Sequence, residues 1–306
     1  MARPTPRDVH IDSALTSVSI AYRNPLYIGD EILPRIRVTK QSDYYFVFSK
    51  GAWFRIPSFT RRAPGRRAVR VDYSLTTGSY ACVEHAFAKG VADETRENAD
   101  DPLSPETEAV EFVSDNLLRA HEKRVSDLVF TGANWATTAA ASTKWDVDTS
   151  DPIGDVNTMR ESVQALIGRE PNVMVMGYNV WADLKDHPDM LDRIKYTQRG
   201  MLTQELTASL FEVDKLLIGK ALYDSALEGA TAVMTQIWGK SVLMLYVPPA
   251  PALMTPAAGY AFEWKPMEVA RFREDQERQD VFEVRHSVAE KITGSDAGYL
   301  LTSVVD

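Results

Sequence analysis

Cys82 is the only cysteine in 306 residues, so no intramolecular disulfide framework can staple this chain. The five histidines are scattered and fall into no metal-ligand spacing, which speaks against a zinc site. Basic residues are outnumbered, 34 Lys and Arg against 43 Asp and Glu. The resulting net charge of −9 argues against a general nucleic-acid binder, because neutralising phosphates requires an excess of cations. Long apolar runs are missing too. Stretches such as Val242 to Val247 are far too short to span a bilayer as a helix, and no membrane partner is expected. Met1-Ala2-Arg3-Pro4 opens a polar stretch without the apolar centre of a secretory signal.

Catalytic signatures are also lacking. Gly219-Lys220 and Gly239-Lys240 resemble the end of a phosphate-binding loop. The first is followed by Ala221, and the second has Met234 where the first loop glycine belongs, so neither forms a phosphate cradle. His121-Glu122 opens a zinc-protease pattern whose second histidine position holds Val125, leaving a structural helix histidine as the better reading. Asp146-Val147-Asp148 resembles a calcium loop, but Asp151 replaces the turn glycine and Asn157 the closing acid. Cys82 and His85 are three residues apart, a spacing that places them on opposite faces of a strand. Cys82 therefore reads as a small buried hydrophobe. No cofactor and no enzymatic activity are expected.

What the chain does contain is organised. Hydrophobic residues make up 44% and charged residues 25%, ordinary values for a folded protein. Residues 1–39 lack a period, and Pro25 and Pro34 hold them extended, as an arm lying on something else. Tyr44-Tyr45-Phe46-Val47-Phe48 has strand composition, and Trp53-Phe54-Arg55-Ile56 continues it. An arginine-rich tip follows, Arg61, Arg62, Arg66, Arg67 and Arg70, punctuated by Pro64-Gly65. Return strands are expected over 69–75 and 79–88, which makes residues 40–91 a long β-ribbon.

An acidic connector leads to a helix over 104–130. Ser104 sits at its N-cap and Pro105 at its first position, where a missing N–H costs nothing. Val110, Val113, Leu117, His121, Val125 and Leu128 recur at steps of three and four, and the helix spans roughly 40 Å. Residues 133–150 read as a small-residue loop anchored by Trp135 and Trp145. Helix and strand then alternate: helices at 155–167, 179–185 and 203–211, and strands at 172–176, 215–218 and 241–247. Two long strands, 260–273 and 281–292, flank a polar turn, and 299–305 supplies a last one.

The order of arm, ribbon, acidic connector, spine helix, α/β insertion and closing strands resembles the major capsid proteins of tailed bacteriophages, which share the Hong Kong 97 fold. Asn24-Pro25-Leu26-Tyr27-Ile28, residues 160–167 and Val247-Pro248-Pro249 carry the same resemblance. It implies an α+β fold with an N-terminal arm (1–39), an extended β-hairpin E-loop (40–92) and a peripheral domain with the spine helix (93–150). An α/β axial domain (151–255) and returning peripheral strands (256–306) complete it. It further implies a virion protein, assembled in the host cytoplasm, that forms hexamers and pentamers of an icosahedral head around double-stranded DNA held by proximity alone. Implied partners are a portal, a separate scaffolding protein (the ribbon begins too early to leave room for a built-in scaffolding segment) and a decoration protein. Lys50 and Lys89 lie in the ribbon, but no crosslink is expected from them. An encapsulin-type compartment shares the fold and is the first alternative, and a soluble enzyme of unknown reaction the second.

Within that resemblance the tip allows three readings: a solvated loop, a nucleic-acid contact with Trp53, Phe54 and Phe59 stacking on bases, or a dock on an acidic surface of another copy. The acidic overall charge favours the third. The expected inter-subunit residues are Arg61, Arg62, Arg66, Arg67, Arg70, Trp53 and Phe54 on one side, with Asp93, Glu94, Glu97, Asp100 and Asp101 on the other.

Overall fold

The computed structural model describes residues 10–11, 27–48, 50–57, 61–62, 64–68, 70–99, 104–194, 202–251 and 255–306. Most of the arm, residues 1–9 and 12–26, lies outside them. The described chain opens with β1 (His10–Ile11), a helical turn α1 (Gly29–Ile32) and β2 (Arg35–Arg37). The ribbon follows, with β3 (Ser42–Phe48), the turn α2 (Lys50–Trp53) and β4 (Leu75–Ala81). Next come β5 (Val83–Ala92), the short α3 (Asp93–Glu97) and the spine helix α4 (Pro105–Val129).

After β6 (Thr137–Ala140) the chain alternates: α5 (Pro152–Ile167), β7 (Val173–Gly177), α6 (Tyr178–Leu184), α7 (Pro188–Ile194), α8 (Gln204–Leu210) and β8 (Lys215–Gly219). A small hairpin of β9 (Leu222–Asp224) and β10 (Met234–Gln236) precedes β11 (Val242–Leu245). The long β12 (Gly259–Glu274) and β13 (Gln279–Ile292) follow, and β14 (Gly298–Thr302) is the last strand.

Two five-stranded sheets organise these elements. In the first, the order is β1-β12-β13-β5, with β2 pairing parallel to β12. Pro266 lies in β12 where the register slips between Glu263 and Glu268, the kind of bulge at which a strand tolerates a residue with no N–H. The second sheet has the order β6-β14-β11-β7-β8. Every residue of β7 is buried, because this sheet is covered on both faces. One face packs Met174, Met176 and Met244 against Val156, Met159 and Val163 of α5. The other packs Val175, Leu243 and Leu300 against Val125 and Val129 of α4.

The spine helix therefore serves both sheets. Its first half buries Ala109, Val110, Val113 and Leu117 against Val269, Phe282 and Val284 of the first sheet. Its second half lies under the second sheet. Leu128, expected in the core, is half-buried, and Val129 takes the fully buried place. The Ser104 hydroxyl pairs with the Thr107 hydroxyl at 3.0 Å and makes no cap to the backbone.

Several expected boundaries move, each for a local reason. Residues 42–48 pair with 75–81, so the return strands fall at 75–81 and 83–92 and not at 69–75 and 79–88. Tyr45 and Tyr80 both lie on Phe262, at 5.8 and 4.5 Å between ring centroids, and that shared anchor sets the register. Trp53, expected to continue the strand character with residues 54–56, instead ends a helical turn over Lys50–Trp53. Helix α5 starts at Pro152, three residues earlier than expected, because the Asp151 carboxylate accepts from the Gly154 N–H at 2.7 Å. It ends where Gly168 adopts φ 67°, the left-handed cap that favours glycine. Residues 133–150 contain a strand, β6, beside their loop. β6 and β14 both join the second sheet, so divisions at residues 150 and 256 cut across it.

Trp135 and Trp145 are anchors as expected. Their indole N–H groups donate to Val129 O at 2.7 Å and to Asp155 Oδ2 at 2.9 Å. Cys82 is 2% exposed, with its thiol 3.2 Å from Phe262 O, and burial pushes that thiol's pKa up.

Candidate interaction surface

The ribbon presents apolar side chains to water because alternation along β3 sends Tyr45 inward and its neighbours outward. Tyr44 is 70% and Phe46 61% exposed, and farther along the tip Phe54 is 64% and Ile56 86% exposed. Trp53, half exposed, lies 5.9 Å from the Tyr73 ring, so the two limbs of the tip are clasped together. Arg61, Arg62, Arg66, Arg67 and Arg70 are all exposed on this tip and make no ion pair among the described residues. All seven expected ribbon residues are exposed. Exposed aromatics and arginines are of the kind enriched at protein interfaces.

The acidic side is more particular than its sequence suggested. Asp93 is engaged within its own chain, at 2.7 Å from Arg273 Nη1 and 2.8 Å from Arg96 Nη2. Glu94 and Glu97 are exposed, and Asp100 and Asp101 lie outside the described residues. The polar turn between β12 and β13 joins the connector: the Asp93 N–H donates to Arg278 O at 3.0 Å. That turn adds Glu274, Asp275 and Glu277, of which Glu274 and Glu277 accept from the Gln279 amide at 2.7 and 2.5 Å. Beneath them Asp280 accepts from Arg96 at 2.6 Å and Arg271 at 2.8 Å. Burial opposes its ionisation, but the two guanidinium groups win and hold its pKa below the usual carboxylate range. The acidic end is therefore rigid underneath and carboxylate-rich outside. These turn residues were missed because only β-pairing, Ala92 opposite Gln279, brings them beside the connector.

A second cluster, buried and also missed, joins three parts of the chain at α4. Glu122 is 1% exposed. Its Oε1 accepts from the Ile28 N–H at 2.9 Å and the Trp238 indole at 2.7 Å, and its Oε2 from the Gly29 N–H at 2.8 Å. A Cβ at Gly29 would stand 2.8 Å from Oε2, so the close approach needs glycine there. Burial raises the Glu122 pKa although the three donors pull it down. Tyr27 adds a bond to Asp115 Oδ1 at 2.9 Å.

One residue earlier, His121 Nδ1 lies 2.7 Å from Glu290 Oε1 and Nε2 lies 3.3 Å from Asp30 Oδ1. Carboxylates on both nitrogens call for the doubly protonated ring. Burial opposes that charge, but Asp30 and Glu290 raise the His121 pKa above its ordinary value. Burial likewise opposes the Glu290 carboxylate, yet His121 and Arg124 bring its pKa down to about 2. Behind them His286 Nε2 meets Glu263 Oε1 at 3.0 Å. The available signal was Glu122 itself, three and seven residues before the apolar Val125 and Val129, and so inside the buried stripe.

Residues 133–255 match the family described as phage major capsid protein E. The major capsid protein of Burkholderia phage BcepMu is 28% identical over 305 residues, 96% of each chain. That of Pseudomonas phage JBD67 is 27% identical over 244 residues, 77% of each chain. The chain is a relative of phage major capsid proteins. Among solved structures, a phage-related protein from Bordetella bronchiseptica superposes with a TM-score of 0.76 at 24% identity, over 97% of this chain and 98% of that one. A protein of Mycobacterium phage Che8 gives 0.57 at 11% identity, over 100% and 95%. A virus-like particle from Pyrococcus furiosus gives 0.59 at 13%, over 94% and 96%.

The fold is thus the mixed helix-and-sheet arrangement of phage capsid subunits, the Hong Kong 97-like fold. Both curated relatives are named major capsid proteins, which are structural and not enzymatic. Among the described residues no helix is long and apolar enough to cross a membrane, and no group of three or more His, Cys, Asp or Glu side chains is placed to hold a metal ion.

Proposed function

We propose that copies of this capsid protein assemble into hexamers and pentamers that close an icosahedral head around double-stranded DNA. In this reading the ribbon is the E-loop, residues 1–39 the arm, the first sheet with α4 the peripheral domain and the second sheet the axial domain. The observation that carries it is the exposed apolar ribbon, with Tyr44, Phe46, Phe54 and Ile56 each more than 60% exposed. Burying side chains of this size against a neighbour contributes about 1.5–3 kcal/mol each. The tip arginines set register on the acidic end of the next copy, Glu94, Glu97, Asp100 and Asp101 with Glu274, Asp275 and Glu277, while Asp93 stays with Arg273. Exposed ion pairs add only about 0.2–1 kcal/mol apiece, so apolar burial supplies strength and charge supplies specificity. A portal, a separate scaffolding protein and a decoration protein are the further partners of this reading, with assembly in the host cytoplasm.

Charge reversal of Arg61, Arg62, Arg66 and Arg67 together tests the ribbon's role. Particle yield should fall while the melting temperature of the free chain stays within 1–2 °C, as expected for surface substitutions. Normal particles from that variant would refute the docking role. The encapsulin-type alternative draws on the Pyrococcus furiosus neighbour, at 13% identity a likeness of fold alone. Enclosed enzyme cargo in place of DNA would favour it.

A further inference from the structure

The ribbon tip does not stand free of its own subunit. Lys50 Nζ lies 2.8 Å from Asp296 Oδ2, just before β14. The Phe54 ring lies over Gly168 at the end of α5, where a Cβ would be 3.4 Å from its Cε1 and Cζ. Both anchors sit on α2 or directly after it, and the Trp53–Tyr73 clasp ties them to the opposite limb, which carries Arg66, Arg67 and Arg70. Both limbs of the tip are therefore tied to the same two anchors. Yet the dock is shallow: Lys50 is 50% and Asp296 34% exposed at the side chain, and Phe54 remains 64% exposed. The ribbon's apolar residues are held in place without being covered.

We infer that the Gly168–Asp296 surface is a resting dock for the chain's own ribbon tip, a weak latch that a neighbouring copy must displace before the ribbon can bridge subunits. The inference rests on the assembly role proposed above. A solvent-exposed ion pair shifts such an equilibrium by only about two- to five-fold. A weak latch suits this purpose: it withholds the tip from chance encounters in the free chain, and the larger apolar burial between copies overcomes it.

Amide hydrogen exchange over residues 50–57 in the free chain reads the latch directly, and light scattering reads assembly. Asp296→Lys sets two cations against each other. It should speed exchange at 50–57 about two- to five-fold and shorten the assembly half-time by a similar factor. Asp296→Asn, a milder change at the same site, should move both in the same direction by less. The charge-swapped pair Lys50→Asp with Asp296→Lys should return both to the wild-type values. Unchanged exchange in Asp296→Lys, or no restoration by the swapped pair, would overturn the dock. Faster exchange with an unchanged assembly half-time would overturn its restraining role while leaving the assembly reading intact. A wild-type chain that forms no particles, whatever its exchange rates, would remove the assembly reading and the latch with it.

Discussion

Replacing Glu122 tests whether one buried carboxylate joins the N-terminal segment, the spine helix and the second sheet. In Glu122→Gln the side-chain oxygen can keep the Ile28 N–H and Trp238 indole bonds, but its NH2 group then faces the Gly29 N–H. One charge-assisted bond is lost, worth about 1.5–3 kcal/mol, and a buried donor is stranded at about 1–3 kcal/mol. Relief from burying a charge offsets part of this, because burial already raises the Glu122 pKa. The net loss should be about 2 kcal/mol. For a chain of this size that is a fall in melting temperature of about 3 °C. Glu122→Ala strands all three donors and leaves a cavity, so its loss should exceed that of the glutamine variant by at least about 2 kcal/mol. Thermal unfolding followed by circular dichroism measures the totals, and amide exchange at Ile28 and Gly29 localises them. If Glu122→Ala melts within 1 °C of wild type and those two amides exchange no faster, the carboxylate is not the joint described.

Three further predictions concern the His121 cluster and the Phe262 anchor. The raised pKa of His121 means its charged contacts with Asp30 and Glu290 contribute fully below pH 6.5 and are lost as pH rises through its folded value. Stability should therefore fall on the alkaline side in wild type and less so in His121→Gln, and equal slopes in urea titrations would exclude the effect. On the acid side, Glu290, at about 2, contributes above its ordinary value near 4.5 and is lost as pH falls from there to about 2. Phe262→Ala removes the ring on which Tyr45 and Tyr80 lie and should cost about 3–5 kcal/mol, with ribbon amides losing protection first. Uniform loss across the chain would contradict the anchoring role.

The sequence carried the parts of this fold that depend on local pattern. The spine helix showed in the steps from Val110 to Val125 and in Ser104-Pro105, and it is found at Pro105–Val129. The buried strand at Val173–Gly177 and the long pair β12 and β13 were equally plain. The exposed aromatics and arginines of the ribbon were legible because such a run is a matter of composition. What stayed hidden depends on contacts between distant residues. The ribbon register follows from Phe262, far along the chain from Tyr45 and Tyr80. The strand β6 of alanine and threonine has little strand character of its own and forms by pairing with β14. The pairing of Asp93 with Arg273, the joining of Glu274 and Glu277 to the connector, and the meeting of Glu122 with Trp238 are all made across the fold. No spacing in the sequence announces them.

Whether this chain builds closed shells from many copies is tested most directly by electron microscopy of the purified protein, alone and co-expressed with candidate scaffolding proteins. The account predicts closed particles of uniform diameter built from hexamers and pentamers. A species that stays monomeric at high concentration under every one of these conditions would contradict it.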